Sequence, residues 1–150
     1  VVRPLQVGAA LGGGSDSLLD ALASYGSPLG RAFQYRDDVL GVFGDAALTG
    51  KPAGDDLREG KLTVLIANAM ASASGGAAEE LNGLLGRELS AAEVDAAREL
   101  ITGSGALAAT ERDIADATRA AVDALADASV AAPAAEGLRK LAELATQRTS

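Results

Sequence analysis

Apolar side chains recur along this chain at intervals of three and four residues, without alternation, which is the spacing of helices that bury one face. In the first segment Leu5 and Ala9 share a face, and the run stops at Gly12-Gly13-Gly14. Ser15 or Asp16 stands where a second helix, about 17–43, needs a cap, and Leu18, Leu22, Leu29, Phe33, Leu40 and Phe43 follow near helical spacing. Pro28 falls inside that pattern and predicts a kink or offset, since it cannot donate to the preceding turn, with Gly26 and Gly30 adding flexibility. Residues 46–61 are rich in Gly, Asp and Pro and read as a loop, longer than compact domains usually leave unstructured.

Beyond the loop the pattern is helical almost throughout. Leu62, Leu65, Ile66, Ala69 and Met70 predict a helix ending at Gly75-Gly76, and 77–85 another stopped by Gly86. Ser90 with Glu93 forms a capping-box sequence ahead of Val94, Ala97 and Ile101. Gly103 and Gly105 precede a longer helix, roughly 106–128, with Leu107, Ile114, Ala121 and Leu125 inward. Pro133 opens a last helix carrying Leu138, Leu141 and Leu144, and charges such as Glu111, Arg112 and Asp113 are expected to face solvent. With no strand pattern and no repeat, the expectation is a single all-α unit over residues 1–150.

On the second helix Gln34, Asp37, Asp38 and Gly41 stand at i, i+3, i+4 and i+7 and so share one face. Two carboxylates there are about what a partly hydrated Mg2+ takes from a protein, phosphate oxygens completing its shell. Taken alone, adjacent aspartates are more often a solvated helix face; the loop that follows, with Lys51 and Lys61, changes that balance. Its charges cancel, with Lys51, Arg58 and Lys61 against Asp55, Asp56 and Glu59, so any affinity for an anion has to come from where the side chains point. Gly44 to Lys51 is a near-miss to a P-loop, with one residue too many between the glycines and Pro52 in place of Ser or Thr. The Gly12–Gly14 cluster does not meet the dinucleotide fingerprint and reads as a helix-ending turn.

Composition narrows the chemistry further. The 150 residues contain no cysteine and no histidine, which removes disulfides, thiolate nucleophiles, Cys/His zinc sites and histidine bases. Any metal is then oxygen-ligated and hard. The net charge of −8 argues against nucleic acid. Aromatics are 3% against 48% apolar residues, so a core has to be assembled from many small helix-to-helix contacts. That apolar content is high for a soluble helical protein, as expected if some side chains face a further part of the fold. The longest uncharged run, 62–78, carries Asn68, Ser72 and Ser74 and falls short of a spanning helix. No basic-then-apolar leader is seen, and a soluble cytoplasmic protein is expected.

The order Phe33-Gln34, Asp37-Asp38, Gly44-Asp45, Gly50-Lys51-Pro52 and Gly54-Asp55-Asp56-Leu57-Arg58-Glu59-Gly60-Lys61 resembles the second aspartate-rich region of the trans-type polyprenyl diphosphate synthases. The resemblance runs from Arg3-Pro4-Leu5 to about Leu65, and the helical remainder fits with little specificity. That family's motif reads DDxxD, whereas Gly41 stands here in the place of the last acid. Its first aspartate-rich motif is not among these residues. The resemblance therefore implies the C-terminal half of the all-α isoprenoid synthase bundle and the condensation of isopentenyl diphosphate with an allylic diphosphate. It implies Mg2+ on Asp37 and Asp38, and diphosphate contacts from Lys51, Lys61 and Asp56. Gln34 and Phe33 would lie near the isopentenyl substrate. A homodimer, or association with the N-terminal half, is implied as well. The alternative is a non-catalytic helical or regulatory subunit of a heteromeric synthase that kept the loop.

Overall fold

The apolar spacing is realised as helices throughout the computed structural model, which describes residues 1–45, 52, 54–126 and 130–147. Among them no strand occurs. The elements are α1 (Val2–Leu11), α2 (Asp16–Phe43), α3 (Asp55–Arg58), α4 (Val64–Ser72), α5 (Ala77–Leu84), α6 (Ala91–Gly103), α7 (Ala106–Ala124) and α8 (Ala132–Thr146). Backbone contacts divide the chain into two compact units. One is Val1–Gln34 with the described part of Asp113–Arg148, and the other contains Tyr35–Arg112.

In the first unit Tyr25, Leu29, Ala121, Leu125 and Ala142 form a fully buried cluster, with Leu5 and Leu138 packed against it. The buried tyrosine keeps its polar end satisfied, because its hydroxyl donates to the Leu138 carbonyl at 2.7 Å. Burial raises its pKa above the ordinary tyrosine value. α2 runs through Pro28 as one helix. Gly26, read from sequence as a source of flexibility, instead marks a close approach: a β-carbon there would lie 3.1 Å from the Val2 Cα of α1. On α8 the period selects Ala135, Ala142 and Thr146 for burial and leaves Leu141 and Leu144 47% and 63% exposed.

The second unit is built around Leu57, Leu65, Ile66, Ala69, Leu81, Val94, Ala97 and Ile101, all buried, and α4, α5 and α6 pack on one another. Its helix starts follow the sequence signals closely. Ser90 Oγ accepts from the Glu93 amide at 3.3 Å while Glu93 Oε2 accepts from the Ser90 amide at 2.8 Å, the reciprocal pair expected of S-x-x-E. Those bonds, the Ser90 amide first and then Arg87 beside it, hold the Glu93 carboxyl down at about 2. α4 starts later than its apolar pattern suggests. Thr63 is the cap, accepting from the Ile66 amide at 3.3 Å, so Leu62 stays outside the helix and is 74% exposed. The stretch read as a loop contains the short helix α3, entered through Gly54 in the left-handed region at φ 73°.

Candidate functional site

The last turns of α2, within the second unit, carry Asp37 and Asp38, and a backbone amide and two side chains from three other helices hold that end. Asp38 is only 4% exposed, and its Oδ2 accepts from the Val64 amide at 3.2 Å. Val64 is the first residue of α4, so a carboxylate meets the end of a helix that presents unpaired N–H groups and partial positive charge. Arg98, from α6, donates through Nε to the Val42 carbonyl at 2.9 Å. Its guanidinium carbon also lies 6.0 Å from the centre of the Phe43 ring. A cation is thereby placed at the C-terminal end of α2, where helix carbonyls run out of partners. Arg36 forms a two-pronged pair with Glu111 of α7, at 2.7 and 2.8 Å. Glu111 is therefore a structural partner of the residue next to Asp37. Its side chain is still 42% open to solvent, as its sequence context suggests; what spacing did not show is the partner, 75 positions away.

Asp56, Glu59 and Lys61 form the second group. Lys61 Nζ lies 2.7 Å from Asp56 Oδ1 and 2.7 Å from Glu59 Oε2. Hydrogen bonding to Asp56 first, and to Glu59 second, pushes the ammonium pKa well above the ordinary lysine range. Asp56 is 8% exposed, whereas the Lys61 side chain remains 44% open. The backbone under these side chains is pinned. The Lys61 amide donates to the Asp56 carbonyl at 3.0 Å, and the Gly86 amide donates to the Leu57 carbonyl at 2.9 Å. Gly60 sits at φ 66°, where a β-carbon would come within 2.9 Å of the Gly86 Cα, so two glycines let the turns touch.

The residues singled out from sequence separate accordingly. Asp56 and Lys61 are in direct contact, and Asp38 is at the start of α4. Asp37 is half-buried on the same helix end. Phe33, 37% exposed, and Gln34, also exposed, fall in the first unit. Lys51 lies outside the described residues. The donor set suits a hard divalent cation: every candidate ligand is a carboxylate. Asp55, Asp56 and Glu59 each offer an oxygen within 4.8 Å of the others.

A sequence model of the polyprenyl synthetase family matches residues 1–101. A geranylgeranyl diphosphate synthase of Mycobacterium tuberculosis is 36% identical over 124 residues, covering 81% of this chain and 35% of the relative. A short chain isoprenyl diphosphate synthase of Methanothermobacter thermautotrophicus is 41% identical over 86 residues, 57% of this chain and 26% of that one. Among solved structures, a geranylgeranyl pyrophosphate synthase from Corynebacterium glutamicum, complexed with isoprenyl diphosphate and magnesium, superposes with a TM-score of 0.95. It is 43% identical and covers 99% of this chain and 43% of its own. A polyprenyl synthase from Caulobacter crescentus complexed with calcium and isoprenyl diphosphate gives a TM-score of 0.84 at 41% identity, over 97% and 44%. The chain thus spans less than half the length of these relatives.

Proposed function

The chain belongs to the polyprenyl synthetase family, and from that premise we propose that the whole protein condenses isopentenyl diphosphate with an allylic diphosphate. Residues 1–150 supply its C-terminal half, with the second aspartate-rich region and the diphosphate-binding loop. The observation that carries this reading is the likeness, at a TM-score of 0.95, to a relative complexed with isoprenyl diphosphate and magnesium.

The chemical problem is the separation of an allylic cation from a diphosphate with several negative charges. Asp37 and Asp38 would hold Mg2+, Asp37 from the more open position and Asp38 while anchored to α4. When bound, the ion supplies Lewis-acid neutralisation of the leaving diphosphate. Lys61 presents a compact positive charge whose place is set by two carboxylates before substrate arrives, so little reorganisation is needed as charge develops. Lys51 would contribute a second cation to the same diphosphate, and Phe33 and Gln34 would line the approach of the isopentenyl substrate. Glu111 and Arg98 take no part in bond making; they hold the α2 end through Arg36 and Val42. A homodimer, or pairing with the half that carries the first aspartate-rich region, and a cytoplasmic setting complete the proposal.

A thermal-shift titration with Mg2+ and inorganic diphosphate tests it. Protection that needs both ligands, and that disappears in Asp37→Asn, is the expected result. A melting temperature unmoved at saturating concentrations would instead favour a regulatory helical subunit.

A further inference from the structure

The family's acidic motif would place a third aspartate at position 41, and the glycine found there is easily taken as a weakened metal site. The structure gives the glycine a different meaning. A β-carbon built on Gly41 would fall inside the carboxylate group of Asp56, overlapping its Cγ and Oδ2. Asp56 has little room to yield. It is 8% exposed, it sits in the short helix α3, whose turn is locked against Gly86, and its Oδ1 is held by Lys61 at 2.7 Å. We propose that Gly41 is a positioning residue: the space left by its missing side chain seats the Asp56 carboxylate, and through Asp56 it fixes the Lys61 ammonium. The third acid is excluded from position 41 because an acid from another helix already occupies that space. The consequence for diphosphate binding rests on the prenyltransferase reading; the packing relation does not.

The distinction can be measured because Gly→Ala within a helix is ordinarily stabilising. In a thermal-unfolding cycle on the full chain, Gly41→Ala is expected to lower the melting temperature, and in an Asp56→Ala background to leave it unchanged or raise it. An equal shift in both backgrounds would overturn the proposal, since the cost would then come from elsewhere. A second measurement holds even if a variant is too unstable for the cycle. Carbodiimide cross-linking followed by peptide mass spectrometry should join Lys61 to Asp56 in the unsubstituted chain and lose that link in Gly41→Ala; an undiminished link overturns the seat. Inorganic diphosphate with Mg2+ supplies the functional arm. Gly41→Asp, which recreates the family triplet in sequence, is expected to weaken binding roughly tenfold, the loss of about one neutral hydrogen bond's worth of affinity. Tighter binding by Gly41→Asp would contradict the proposal. Coupling in the cycle with no diphosphate binding by the unsubstituted chain would count against the prenyltransferase reading and leave the seat standing.

Discussion

Val1–Gln34 with the described part of Asp113–Arg148 is held by an apolar core in which the Tyr25 hydroxyl is satisfied by a carbonyl, whereas Tyr35–Arg112 is threaded with charged pairs. In the second unit Arg36 meets Glu111, Lys61 meets Asp56 and Glu59, Arg87 meets Glu93, and Arg98 caps α2. Both units are alanine-rich helices, so the difference does not come from secondary structure. An apolar cluster gains stability in proportion to the area it removes from water and demands only shape. A set of paired charges contributes little net stability, but it fixes where each charge stands. The first arrangement suits a scaffold, and the second suits a surface that has to meet a polyanion with its cations already in place.

Substitutions should expose that division, beginning with the largest effect. Leu29→Ala, 2% exposed inside the first core, is expected to cost about 2–5 kcal/mol in chemical denaturation, the usual range for such a deletion. A cost below about 1 kcal/mol would mean that the cluster is not a scaffold. Lys61→Met should show itself chiefly in binding. Loss of a charge-assisted contact, roughly 1.5–3 kcal/mol, should raise the dissociation constant for diphosphate by about 10- to 100-fold, and the melting temperature should fall as well because the buried Asp56 carboxylate loses its partner. A third substitution separates polar burial from function within the second unit. The Thr110 hydroxyl is buried with no hydrogen-bond partner, so Thr110→Val should stabilise the chain by about 1 kcal/mol and leave diphosphate affinity alone. The smallest effect concerns acid. The folded Glu93 carboxyl lies at about 2 against an ordinary 4.5, so its contribution is complete above 4.5 and is lost as pH falls through about 2. Stability profiles of Glu93→Gln and the unsubstituted chain should therefore converge toward pH 2. Curves that stay parallel across that window would remove the cap from the account.

Much of this was legible in the sequence because it is local. The Ser90–Glu93 box and the helix boundaries at the glycine clusters depend on residues within four positions, and so does the inward stripe of Ile114 and Ala121. Leu62 fits the apolar spacing but falls outside the helix, because the Thr63 hydroxyl caps it one residue later. Glu111 and Arg98 were invisible as partners of the α2 end because no periodicity links them to Arg36 and Val42. Gly41 was visible as a departure from a motif, but its reason lies in Asp56, fifteen positions along the chain and on a different helix. Sequence spacing proposed the candidate acids; long-range packing decided how each is engaged.

The touching glycines at 60 and 86 bear on recombination between relatives. Because a side chain on Gly60 would run into the Gly86 backbone, and both glycines sit at positive φ, residues 54–61 and the bend near 86 behave as one transplantable cassette. A chimera that imports the first segment while keeping a bulkier bend from its host would inherit the charges but not their alignment.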